Sequence, residues 1–253
     1  MSGPGGRRTS ETYDALTMAE TDNDRDAIAA VNNAEWCGAV WRAHGLSVEQ
    51  AHGMWFTRSP TPPFYPNAVT VDPVADPSTQ AAFVVTLATG LTDFSIKDSF
   101  ARLPLKGMGF RLLFTARWLW RDLTNHVEAC GHATRWRRVT AGCDLEEWEI
   151  AWRGDEVAHS GVFRPELLGD PRAIVMTGTD ASGTIKAGGV AYEAADALGI
   201  TNIFGDEEGF LEALLSHTSA KQVVCYERGE ALRSAQQRRF EILGPLNVWT
   251  GTV

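Results

Sequence analysis

Four side chains with acid–base capacity stand at the ends of predicted helices or strands: His44, Asp98, Glu193 and Tyr226. His44 precedes Gly45, a helix stop, and an imidazole there can move protons near neutral pH or cap the last carbonyls. Asp98 closes the alternating run Asp93 to Phe100. Residues just past strand ends line ligand crevices in open sheets. There Asp98 can orient a substrate amine, act as a base, or form an ordinary surface ion pair. Tyr226 and Glu227 occupy the equivalent end of a later run, Gln222 to Arg228. Trp36 and Arg42 share a helical segment with His44 and could wall a pocket, although Trp36 equally suits a core. Trp118 lies two residues before Trp120 on one face of a strand and could floor an apolar pocket. Asn202 stands inside an apolar strand, where its amide requires partners from protein or ligand. Arg164 could clamp a carboxylate, but it also reads as a surface arginine.

His126, Cys130, His132 and Cys143 raise the possibility of zinc. Their spacing fits no standard finger, and a zinc site needs convergent ligands, so no metal is expected. Ser160 and Ser182 precede glycines without the frame of a nucleophile elbow and read as turn residues.

The chain has 253 residues, 44% of them hydrophobic and 22% charged, which suits a soluble globular protein. There is no apolar run of membrane-spanning length, so no membrane association is expected. Acidic residues outnumber basic ones by 32 to 23, for a net charge of −9. That balance disfavours nucleic acid, because phosphate binding draws on Lys and Arg. The cysteines at 37, 130, 143 and 225 form no CxxC pair and point to a reducing cytoplasm. Nine tryptophans demand large apolar surroundings.

Several elements must position these groups. Residues 1–24 are rich in Gly, Ser, Thr and acids and read as a flexible tail. A helix is predicted from near Asp24 to Gly45. Short strands flank the proline-rich stretch Ser59 to Asn67. A helix follows from Ser78, as N-cap, to Gly90. Strands are predicted over 93–100 and 110–120, and a helical or irregular linker over 121–135. Then come a strand from Arg137, a helix from Asp144, a hairpin over 172–194, a strand at 200–204, a helix at 209–217, a strand at 222–228, a helix at 229–239 and a last strand at 241–249. This mixture predicts a mixed α/β fold. A faint repeat is present: a strand leads to Phe110 and on to Trp118, and another leads to Phe240 and on to Trp249.

The segment QVVCYERGEALRSAQQRRFEILGPLNVW, residues 222–249, resembles the C-terminal part of the GNAT superfamily of acyl-CoA N-acyltransferases, with Arg239-Phe240 where Gly-Phe is usual. The order of elements from 136 to 249 is similar too. WCGAVWRAHG, PPFYPNAVTV and FSIKDSF…GFRLLFTARWLW resemble the first half of two-unit GNAT-like proteins from actinobacteria. The resemblance implies two GNAT-like units, residues 25–125 and 126–253, with central mixed sheets flanked by helices. It implies N-acyl transfer from acetyl-CoA or another acyl-CoA to a small-molecule amine. Glu193 then falls where a general base can lie. The helix after Glu227 has no tyrosine to serve as general acid, so that role has no evident carrier there.

One departure stands against acetyl-CoA. The family cradles the CoA pyrophosphate on a glycine-rich, basic loop at a helix N-terminus. The matching stretch Ile203 to Phe210 carries Asp206, Glu207 and Glu208 and no basic residue. Like charges at short range cost on the order of 1 kcal/mol each. In the first half, Thr89 to Asp93 is no better. Two alternatives therefore stand beside acyl transfer: acid–base chemistry without CoA, such as a lyase, hydrolase or cyclisation step of specialised metabolism, or a non-catalytic ligand-binding protein.

Overall fold

A computed structural model describes residues 10–124, 134–154 and 161–251. The order is α1 (Ser10–Ala43), β1 (Glu49–Ala51), β2 (Met54–Phe56), β3 (Ala68–Thr70), α2 (Pro77–Ala88), β4 (Phe94–Asp98), β5 (Phe110–Asp122), β6 (Arg135–Arg138), α3 (Gly142–Arg153), a 3-10 turn (Pro165–Gly169), β7 (Ala173–Thr179), β8 (Ile185–Ala194), β9 (Ala197–Phe204), α4 (Glu207–Leu215), β10 (Gln222–Glu227), α5 (Gly229–Gln237) and β11 (Glu241–Gly251).

Most boundaries fall within a few residues of the prediction. The first helix is the main difference. It starts at Ser10, inside the stretch read as a tail. Helix α2 begins earlier than Ser78, because Asp76 caps it by accepting from Thr79 N at 2.8 Å and Pro77 fills the first turn. Asp144 does not cap α3; it pairs with Arg137 at 2.5 Å. Strand β5 runs to Asp122, into the expected linker.

The eleven strands of the described residues form one mixed sheet, in the order β1-β2-β3-β4-β11-β5-β10-β9-β8-β7-β6. Its centre shuffles the two halves. Strand β11 lies between β4 and β5, and β5 lies between β11 and β10. The pairs are antiparallel except β3 with β4 and β9 with β10. Outward from the β11–β5 pair both sides run antiparallel, parallel, antiparallel, antiparallel, with β6 an extra strand on one side, and the Phe-to-Trp repeat of the sequence supplies the central pair. Two units with central mixed sheets flanked by helices were expected; the strands of both halves lie in one mixed sheet, interleaved at its centre.

Alternation along the strands sorts the core. Helix α1 covers one face, packing Ala29 and Ala30 against Trp118, Trp120, Val224 and Val248. Helix α3 joins it there through Leu145 and Trp148. Helices α4 and α5 cover the other face over Leu119, Leu198 and Val223, and α2 covers Phe94, Ile96 and Trp249. The tryptophan count has a core explanation. Trp41, Trp118 and Trp148 are almost wholly buried, and each donates its indole N–H to a main-chain carbonyl: Pro66, Ser99 and Met176. Among the described residues no helix is long and apolar enough to cross a membrane.

Candidate functional site

Strands β9 and β10 are bonded in parallel only at Val223–Leu198 and Val224–Gly199. Beyond that point β9 bulges against β8, with Asn202 at φ 53°. A bulge adds an unpaired residue and turns the strand away from its partner. The unpaired ends leave a cavity of about 200 Å³, lined by Gly199 to Ile203 from β9 and Val224 to Glu227 from β10. Helix α1 supplies Ala29, Asn32, Asn33 and Trp36 on one side, and Glu207 at the start of α4 lies on the other.

The walls are aromatic on the α1 side. Trp36 sits 5.5 Å from Tyr192, and Trp118 meets Tyr226 edge-on at 5.6 Å between centroids. Asn32 holds the closed end of the gap. Its Nδ2 donates to the carbonyls of Tyr192, Ala194 and Ala197 at 3.1, 3.0 and 3.0 Å. Asn202 Oδ1 accepts from Thr201 Oγ1 at 3.0 Å. Glu227 and Glu207 supply negative charge. Burial, and then the Glu207 carboxylate, push the Glu227 carboxyl above its ordinary range. Glu207 is partly neutralised by an ion pair with Arg238.

Sequence reasoning placed nine residues at a site. The structure brings Trp36, Trp118, Asn202, Tyr226 and Glu227 to this one cavity. The other four lie elsewhere. His44 Nε2 is 2.9 Å from the Val162 carbonyl and so ties the end of α1 to the second half. Arg42 is exposed on the last turn of α1. Glu193, at the end of β8, accepts from the Thr218 hydroxyl beside a separate depression with Lys221. Asp98 is 1% exposed and braces the loop after β4, accepting from Leu103 N at 2.9 Å and Arg102 N at 3.1 Å. Burial raises its proton affinity, and these two N–H bonds pull it back. Asp98→Ala strands both amides, and a thermal melt should show a loss of about 2 kcal/mol; unchanged stability would refute this bracing role.

Asn32, Asn33 and Tyr192 were not anticipated. The adjacent asparagines on an otherwise apolar helix face were the available signal. Of the zinc candidates, His126, Cys130 and His132 lie outside the described residues, as does Ser160; Cys143 is exposed. Among the described residues no group of three or more His, Cys, Asp or Glu could hold a metal ion. Ser182 donates to Asp180 at 2.6 Å within a turn, and Arg164 is exposed before the 3-10 turn.

The residues present do not fit a CoA pyrophosphate at the start of α4. Asp206 already occupies that helix end, accepting from Gly209 N at 2.9 Å, with Glu207 and Glu208 in the first turn. In the first half the matching junction is the loop before α2, not Thr89 to Asp93, which follows that helix. That junction too is closed by a carboxylate, Asp76.

No family model matches the chain, and no curated protein matches it. Solved structures do. A GCN5-related N-acetyltransferase from Kribbella flavida superposes with a TM-score of 0.59 at 12% identity, covering 86% of this chain and 95% of that one. A GCN5-related N-acetyltransferase from Sphaerobacter thermophilus superposes with a TM-score of 0.53 at 11% identity, covering 88% and 90%. At such identities the likeness establishes a fold, the GNAT fold, over most of the chain.

Proposed function

We propose that this GNAT-fold protein binds a small-molecule amine in the cavity between β9 and β10 and acts on it as an N-acyltransferase. The observation that carries the reading is the cavity's chemistry: two carboxylates, Glu227 and Glu207, at one end of an aromatic-walled gap. A protonated amine is attracted by both features. Glu227, with its proton affinity raised by burial, is suited to take a proton from the ammonium and leave a nucleophilic nitrogen. Tyr226, beside it, can hold or return a proton through its hydroxyl. Trp36 and Trp118 orient the apolar part of the amine, and Asn202 offers its carboxamide. Residues 25–125 and 126–253 fit two related units that contribute their long strands to one another's sheet, in keeping with the repeat around Phe110 and Phe240. Cys37, Cys143 and Cys225 are free thiols, in keeping with a reducing cytoplasm.

A second reading is favoured by the acid-capped start of α4. The same cavity would bind an amine without CoA, either for acid–base chemistry such as a lyase, hydrolase or cyclisation step, or without catalysis. Calorimetric titration with acetyl-CoA and, separately, with 2-phenylethylamine separates the two. Heat with acetyl-CoA at a micromolar Kd, about −8 kcal/mol, supports acyl transfer. Heat with the amine alone supports the second reading. No binding of either, with ligand raised to about 1 mM, removes both.

A further inference from the structure

A larger cleft, about 620 Å³, opens on the α1 face of the sheet beside the amine cavity, with Tyr226 lining both. Pro62, Pro63 and Phe64 stand on one side, and Leu113 and Phe114 of β5 on another. Phe64 is 63% exposed and Leu113 49%, so apolar surface continues out to solvent. This volume lies within the range of small-molecule sites.

Lys97 also lines this cleft, and it is 5% exposed. Its ammonium donates to Asn33 Oδ1 at 2.7 Å and lies 4.4 Å from the centre of the Tyr226 ring. Among the described residues no carboxylate pairs with it. Its neighbour Asp98 points to the opposite face of the sheet, as alternation along β4 requires. A buried ammonium with one neutral acceptor and one ring face retains a donor without a partner, and burying a charge without a counter-charge is costly. Arg228 lies over the Phe114 ring at 4.6 Å and adds positive field. The one acidic residue of the lining, Asp93, is exposed at the rim, where solvent screens it.

We propose that this cleft is a binding site for an organic carboxylate with an apolar body, the carboxylate pairing with Lys97 and the body lying between the proline segment and Phe114. A carboxylate supplies the missing acceptor and counter-charge, and the apolar walls exclude water from the pair. The site is distinct from the amine cavity and does not depend on acyl transfer.

The test is calorimetric titration of the full chain with 3-phenylpropionate, 3-phenylpropanol and 3-phenylpropylamine. The acid is expected to bind, with the alcohol and the amine at least tenfold weaker in this cleft. Lys97→Met is expected to weaken the acid about 30-fold or more, the effect of removing one partner of a buried charge pair. Leu113→Asp alters only the half-exposed rim, so it leaves the fold intact should Lys97→Met not fold; it is expected to weaken the acid by like-charge repulsion. Glu227→Gln, which tests the amine cavity, is expected to leave acid binding unchanged. Equal binding of acid and alcohol, acid binding that survives both Lys97→Met and Leu113→Asp, or no binding of the acid overturns the proposal.

Discussion

Glu227→Gln is expected to yield a folded protein that has lost its amine ligand and gained thermal stability at neutral pH. The loss follows from the charge. An ammonium held against this half-buried carboxylate is left without its partner, which costs about 2 kcal/mol or more, or about 30-fold or more in Kd. The gain follows from the proton. Burial and the nearby Glu207 raise the folded carboxyl above the ordinary value of 4.5. Between the unfolded and the folded value the native state binds more proton than the unfolded chain, so wild-type stability falls as pH rises through that window. Glutamine has no such proton to lose. The difference in melting temperature between variant and wild type should therefore be small near pH 4 and widen as pH rises, levelling off above the folded value. Melts across that range, with 2-phenylethylamine titrations beside them, check both halves. A variant that binds the amine as wild type does would remove Glu227 from the site. A melting difference that shrinks with pH would contradict a raised carboxyl.

Gly199→Ala should be strongly destabilising. A Cβ at that position would overlap the Asn32 carboxamide oxygen and lie 2.9 Å from its Cγ. The contact is with a branch point of a fully packed side chain, so the carboxamide must leave. Its departure strands the carbonyls of Tyr192, Ala194 and Ala197, which share the two Nδ2 hydrogens. Each lost bond is worth about 1 kcal/mol, and overpacking adds about 1–3 kcal/mol. The total expected loss is roughly 3–5 kcal/mol, measured by denaturant unfolding. Asn32→Gly in the same background should restore part of it, because it removes the clash but not the missing bonds. A stable Gly199→Ala protein would mean that α1 does not bear on β9 as closely as described.

Much of the site could be read from one dimension. Tyr226, Glu227, Trp118 and Asn202 sit on strands whose alternation is local, and Trp36 sits on a helix whose period is local. The element types followed from the same periodicities, and the Phe-to-Trp repeat marked the two strands that become the centre of the sheet. The carboxylates at 206–208 already argued against a pyrophosphate at that helix end, and Asp206 indeed occupies it. Other positions carried the same local signal with a different outcome. Asp98 and Glu227 both end strands, yet Asp98 is used up by the amides of Leu103 and Arg102, while Glu227 lies where β10 has parted from β9 and lines the cavity. The loop that folds back onto Asp98 decides that, and no spacing reports it.

By itself, then, the sequence determined most of the elements and their inward faces. Those depend on contacts within about one turn or one strand. The tertiary structure alone decided the interleaving of β11 between β4 and β5, the cavity at the unpaired ends of β9 and β10, and the burial of Lys97 under α1. Each depends on the pairing of segments distant along the chain, such as Asn247 with Asp98 and Asn33 with Lys97. Strand pairing is specified by complementary faces and register across the whole sheet, so a strand's own residues carry no record of which neighbour it will take.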